Sequence, residues 1–354
     1  MERYIGLDVH AASCTAAVVD AQGKKLGAHV IETNGEALVK FLATQPGKPK
    51  VCMEEGTQSE WLYQVLSPHA QEVVVIRVEE KSSPRGQKND ELDAYGLADR
   101  HRRDALPRGV WKDAGRLTKL RQMVKVHSMI VGDTTRVKNR IKALYRSRGV
   151  NVAQKSVYSK KGRKAWLEKL PESSRAAIGH LYAQYDQLEE VRNQAQKELV
   201  TESHRHPISE ILETCPGVGE IRAAQIIATV MVPERFRTRQ QFWAYCGLGI
   251  VMRSSSDWIQ TADGRWTRAQ VQHTRGLNMS RNAMLKTVFK GAATSVLQQH
   301  RSSVLYADYA RMVEAGTKPN LAKVTLARKI AATVLAMWKK KEAYDPAKRT
   351  SKTS

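Results

Sequence analysis

The chain has 354 residues, enough for two or three domains that each bury a core of their own. Its 58 Lys and Arg outnumber 35 Asp and Glu, and the formal charge of +23 points to a polyanionic partner, nucleic acid first among them. No run approaches the roughly 18 consecutive apolar residues of a membrane span, and the N-terminus opens on a strand pattern in place of a signal peptide. The expectation is a cytoplasmic protein with no membrane partner.

From Tyr4 to Asp20 the alternation reads as two strands joined by a polar turn at His10–Ser13, and Gly23 and Lys24 lead into a third strand ending near Ile31. Asn34 is placed to cap a helix with Leu38, Phe41 and Leu42 on its apolar face, and the Pro46–Pro49 stretch ends that helix. A fourth strand at Val51–Met53, a helix around Trp61–Leu66 and a fifth strand at Val73–Val78 follow. The order β-β-β-α-β-α-β is that of an RNase H-like fold, although other α/β folds accommodate it. An α/β domain over residues 1–110 is therefore expected.

Residues 113 to about 148 read as a helix with Leu117, Leu120, Val124, Val131, Ile141 and Leu144 on one side. Over 101–170 there are 20 Lys or Arg against 4 Asp or Glu. A second long helix, Ser174–Val200, repeats Leu181, Tyr185, Leu188, Val191 and Leu199 at spacings of three and four, which suits a helical hairpin or a coiled-coil seam. Residues 111–206 are thus expected to form a basic helical or coiled-coil arm. Arg121, Lys125, Arg136, Lys138, Arg140, Lys142 and Arg146 are its candidate phosphate contacts, joined further along by Arg253 and Arg275. An ordinary packed helix pair with a solvated basic face is the alternative.

Pro207 opens a mainly helical region, 207–340, with breaks at Pro216–Gly219 and Gly247–Gly249, and 341–354 reads as a disordered basic tail. Trp258 and Trp266 are assigned to its core, with base stacking as the alternative. The four cysteines, Cys14, Cys52, Cys215 and Cys246, are scattered and lack zinc-ligand spacing, so neither zinc nor disulfides are expected.

The chemistry is carried by carboxylates. Asp8 ends the first strand and Glu54 the fourth, which lie side by side in an RNase H-like sheet, and Asp90 and Asp93 stand three apart at the start of a helix, projecting from one face. Four acids around one point repel one another unless cations neutralise them, and hard oxygen ligands select Mg2+ or Mn2+. Two such ions suit phosphodiester chemistry. Each acid also has a plain reading as a turn former, a solvated loop acid or a helix N-terminal charge, and Glu55 competes with Glu54.

Three runs, IGLDVH at Ile5–His10, MEEGTQSEWLY at Met53–Tyr63 and KNDELDAYGLA at Lys88–Ala98, resemble the acidic motifs of the DEDD transposases in the insertion-sequence one-ten family. The segments CPGVGEIRAAQII, AYCGLGIVMRSSSDW and RGLNMSRNAMLKTVF resemble the C-terminal parts of that family, so the likeness spans nearly the whole chain. It implies a RuvC-like N-terminal domain in which Asp8, Glu54, Asp90 and Asp93 hold metal. It also implies a C-terminal serine nucleophile, and counting from Gly247-Leu248 places that serine at Ser255, with Ser254 as the alternative. Where many members read Ser-Gly, this chain reads Ser254-Ser255-Ser256-Asp257. The PGVG turn resembles a helix-hairpin-helix, whose backbone amides can hold a phosphate.

The function implied is that of a DNA transposase or recombinase that cuts and rejoins strands through a serine–DNA intermediate. The resemblance also implies a structured guide RNA, with the basic arm as its dock, and a dimeric or tetrameric assembly. Two rivals remain open at this point: a hydrolytic junction-resolving nuclease using water, and a nucleic-acid-binding protein without catalysis.

Overall fold

The computed structural model describes residues 2–77, 89–107, 109, 110, 112, 115–252, 258–268 and 274–348. The chain divides into two compact units, Met1–Arg116 and Leu117–Ser354.

The first unit is a five-stranded mixed sheet with helices on both faces. Its elements are β1 (Arg3–Val9), β2 (Ser13–Asp20), β3 (Lys25–Glu32), α1 (Gly35–Ala43), β4 (Lys50–Glu54), α2 (Ser59–Leu66), β5 (Glu72–Ile76) and α3 (Asp90–Arg102). The strand order is β3-β2-β1-β4-β5, with β1 antiparallel to β2 and parallel to β4, and β4 parallel to β5. Asn34 caps α1 as its sequence context predicts, its side-chain oxygen accepting the Ala37 amide at 2.7 Å.

Side-chain alternation sorts the sheet into two faces. Ile5, Leu7, Ala16, Val18, Val51 and Met53 point to one side and pack with Leu38, Leu42, Leu62 and Leu66 of α1 and α2. Tyr4, Ala17, Val19, Cys52 and Ile76 point to the other, where they meet Ala94, Tyr95, Leu97 and Ala98 of α3. Gly6 lies at the centre of that second face. A Cβ there would fall 2.0 Å from the Ala94 carbonyl oxygen, so a side chain at this position would hold α3 away from β1.

The second unit is largely helical: α4 (Thr118–Arg146), α5 (Arg163–Leu167), α6 (Glu172–His204), α7 (Ile208–Glu213), α8 (Glu220–Val230), α9 (Arg239–Tyr245), α10 (Ala283–Gln299), α11 (Val304–Glu314) and α12 (Pro319–Lys340). Between α9 and α10 lie four short strands, β6 (Ile250–Met252), β7 (Trp258–Gln260), β8 (Trp266–Arg268) and β9 (Thr274–Leu277). Helices α4 and α6 run antiparallel, as the pairs Lys119–Glu202, Lys138–Glu189 and Tyr145–Tyr182 require.

One end of this pair closes over its own core of Val137, Ile141, Tyr145, Trp166, Ile178 and Tyr182, where Arg163 donates two hydrogen bonds of 2.6 Å to Asp186. At the other end Leu120, Val124 and Leu199 join the core formed by α8, α10 and α12. Val131 and Val191, expected on the packed stripe, are instead exposed (39% and 52%), the buried stripe of α4 running through His127, Thr134 and Val137. Of the expected tail, residues 341–348 follow α12, with the Tyr344 ring packed on that core and its amide donating to Thr214 Oγ1 at 2.8 Å. Among the described residues no helix is long and apolar enough to cross a membrane.

Candidate active site

Asp8 is the last but one residue of β1, on the α3 face it shares with Tyr4 and Gly6. Glu54 ends β4 and pairs with Ile76, whose side chain lies on that same face, and β4 runs parallel to β1 with Leu7 opposite Met53. The two acids therefore stand at the C-terminal ends of neighbouring parallel strands, one step beyond that pair. Asn89 caps α3 by accepting the Glu91 amide at 2.9 Å. Asp90 and Asp93 lie one turn before the buried Ala94 and Leu97, so the helix brings its acidic end over the same strand ends.

The closest convergence is between Asp8 and Asp90, with a residue that the sequence reading treated as part of a turn. His10 Nε2 lies 3.3 Å from Asp8 Oδ2 and 3.2 Å from Asp90 Oδ2. The ligand atoms of Asp8, His10 and Asp90 all fall within 4.8 Å of one another, and among the described residues no such group includes Glu54 or Asp93. The signal for His10 in the sequence is its position directly after β1, two residues beyond Asp8. Glu55 is engaged elsewhere: Lys112 Nζ donates to its carboxylate at 3.0 Å.

This donor set fits a divalent cation. Asp8 Oδ2 is buried and makes no hydrogen bond, and the His10 Nε2 that lies 3.3 Å from it is itself a metal-ligand atom. Two carboxylates and an imidazole nitrogen that can bind when neutral make a donor set able to hold a divalent metal ion. Beside Asp90, residues Thr15, His29, Val30, Asn89 and Leu92 line an open cleft of about 600 Å3. One further group of three, His204, Glu213 and Glu220, ties together the ends of α6, α7 and α8. There His204 Nε2 lies 3.1 Å from Glu213, which also accepts the Ser209 hydroxyl at 2.9 Å.

Ser254, Ser255 and Arg253 lie outside the described residues, in 253–257 between β6 and β7. Arg275 is in β9. The cations of α4 divide by environment. Lys125, Arg140 and Arg146 are exposed, Arg136 is exposed and paired with Asp133, and Lys138 is paired with Glu189 at 3.5 Å. Lys142 Nζ lies 6.0 Å from the Tyr158 ring centre. Arg121 differs from these: burial, with some repulsion from Arg235, works against its charge. Gly217 of the PGVG turn has φ +85°, and a Cβ there would fall 2.5 Å from the Ala292 carbonyl oxygen, so the turn is built for glycine.

Trp258 and Trp266, assigned to the core from sequence, are 56% and 62% exposed. The reason is architectural. Among the described residues strands β7 and β8 pair only with each other, and in a two-stranded ribbon no second layer need cover either face.

Two family models match this chain. One, a DEDD transposase model of the IS110 type described as "Transposase", matches residues 5–147, and the other, described as "Transposase IS116/IS110/IS902 family", matches residues 209–279. Comparison with curated proteins gives no match. The first stretch contains Asp8, Glu54, Asp90 and Asp93, the second contains the PGVG turn and Ser254–Ser256, and together they span more than half of the chain. The chain therefore belongs to the IS110 family of DEDD transposases, enzymes that process DNA.

Proposed function

We propose that this transposase cuts and rejoins DNA at a divalent-metal site held by Asp8, Glu54, Asp90 and Asp93, with Ser255 as the attacking nucleophile. The observation that carries the proposal is the meeting of Asp8 and Asp90 around His10, with Asp8 Oδ2 buried and lacking a hydrogen bond. The strand order and the placement of acids at the strand ends support an RNase H-like, RuvC-like reading of the first unit. Glu54 is preferred to Glu55 because it shares the α3 face with Asp8, whereas Lys112 engages Glu55. Magnesium or manganese, two ions in this reading, would supply Lewis-acid stabilisation of charge on the phosphodiester oxygens.

Ser255 would exchange one P–O bond to sugar for one to its own oxygen, and the DNA hydroxyl would leave with a proton. The bond energy is kept, so rejoining needs no nucleotide cofactor. The exposed Lys125, Arg140 and Arg146 suit α4 to a phosphate backbone, and a structured guide RNA is the partner we assign to the arm formed by residues 111–206. The exposed apolar residues Val126, Met129 and Val191 favour further association of that arm as a coiled-coil dimer or tetramer. On this reading residues 207–340 are the serine-bearing domain.

The test is a strand-transfer assay on element ends with Asp8→Asn, Asp90→Asn and Ser255→Ala. Both acid variants are expected to lose Mg2+-dependent cleavage and to keep salt-sensitive DNA binding. Ser255→Ala is expected to lose the covalent protein–DNA adduct. Cleavage that survives Ser255→Ala at the wild-type rate would replace the serine with water and make the protein a hydrolytic nuclease.

A further inference from the structure

The two exposed tryptophans form a feature that the proposed metal chemistry does not use. Trp258 and Gln260 share one face of β7 by alternation, and Trp266 pairs with Gln260, which puts both indoles on that face in diagonal positions. Ile259, 50% exposed, and Thr267 take the other face. The tip is held firm by a tight turn: the Thr261 amide donates to the Arg265 carbonyl at 2.8 Å, the Gly264 amide donates to the Thr261 carbonyl at 2.8 Å, and Gly264 has φ +80°.

In sequence the hairpin lies between the two strands of the β6–β9 ladder. Met252 pairs with Thr274 and Trp258 with Arg268, so the same six-residue step separates the two ladders on each strand. The expected nucleophile lies in sequence within that step. Among the described residues this ribbon pairs with no third strand, and it carries two indoles that are more than half exposed. The charge specifies the partner. In sequence residues 250–277 carry four arginines against Asp257 and Asp263, and the Arg265 side chain, with its Nε 3.5 Å from Asp263 Oδ2, is 84% exposed.

We propose that Trp258 and Trp266 form a stacking platform for unpaired nucleobases of the DNA strand being processed. Indole faces stack on bases of any identity, but only when those bases have left the duplex, whose own stacking covers their faces. A strand that is opened for exchange exposes such bases. The exposed Arg265 guanidinium at the tip would hold a neighbouring phosphate, giving both elements of a single-strand site. This inference rests on the proposed reading only in taking DNA as the ligand.

The experiment uses the full chain and two probes, a 20-mer of oligothymidylate and a blunt duplex of equal length. Single-strand binding is expected to quench indole fluorescence, with the quenched component absent from W258F/W266F. W258A/W266A is expected to bind the single strand at least about tenfold more weakly and to bind the duplex as wild type does. W258F/W266F, which keeps flat rings, should bind the single strand within about threefold of wild type.

Single-strand affinity unchanged in the alanine variant overturns the proposal. So does an equal loss for both probes in the phenylalanine variant, or a change in sedimentation without a change in single-strand binding, which would make the face a contact between copies. Asp8→Asn separates this idea from the metal reading. It should leave the quenching intact, so quenching can fail while the metal reading stands, and the reverse.

Discussion

Gly6 sets how closely the helix bearing Asp90 approaches the strand bearing Asp8, and Gly6→Ala puts that approach to the test. The new Cβ would stand 2.0 Å from the Ala94 carbonyl oxygen and 2.7 Å from the Ala98 amide nitrogen, both backbone atoms of α3. Ordinary contact begins near 3.4 Å, so the helix must withdraw by about 1.4 Å, the difference between the first of those distances and contact. No flexible side chain can absorb that shift, and the expected cost is at the upper end of overpacking penalties, about 3 kcal/mol. Asp90 moves with the helix, and a displacement near 1 Å at a reacting centre costs about 100-fold in rate.

Gly96→Ala, on the same helix, is the matched control. No atom lies within 4 Å of its Cβ, so it should stabilise the helix by about 0.5–1 kcal/mol and leave the rate alone. Thermal unfolding read beside Mg2+-dependent strand cleavage separates the two. If Gly6→Ala unfolded and cleaved like wild type, or if both substitutions behaved alike, the close approach of β1 and α3 would not be what positions the acids.

Two further outcomes are expected. Glu54→Gln should reduce cleavage by more than about 100-fold, as loss of a metal ligand does, whereas Glu55→Gln, which releases Lys112, should stay within about tenfold of wild type; equal losses would remove the distinction drawn between them. His127 is 4% exposed with neither ring nitrogen hydrogen-bonded, and burial, aided by Arg192, holds its pKa below the ordinary histidine value. As pH falls through about 6.5 the unfolded chain therefore takes up this proton before the folded one does, and stability declines by at most about 1.4 kcal/mol per pH unit until the folded imidazole also charges. Denaturant titrations at pH 7.5 and 5.5 should show that loss and its partial relief in His127→Leu, and an identical loss in both proteins would assign the acid sensitivity to other groups.

What could be read from sequence was what local periodicity controls. The strands of the first unit, the Asn34 cap and the acidic start of α3 follow from alternation, capping chemistry and helical spacing within a few residues of each position, whereas β6–β9 lie in a region expected to be helical. His10 is not legible locally because its neighbour Asp90 is some eighty residues distant, and a histidine after a strand reads as part of a turn. Trp258 and Trp266 were misassigned for a related reason. Large aromatics in a region expected to be mainly helical suggest burial, but the structure places them on a two-stranded ribbon, and local sequence does not reveal how many layers surround such a ribbon.

Arg121 shows the same limit from the polar side. Its neighbours in sequence mark a basic helix, yet its guanidinium lies where Tyr245 and Arg235, more than a hundred residues on, decide its environment. Gly6 occupies the middle ground between local and distant control. A glycine inside a strand signals that some backbone comes close, without naming which one. Only the contact with Ala94 and Ala98 identifies it as the residue that lets two acids from distant parts of the chain share one point in space.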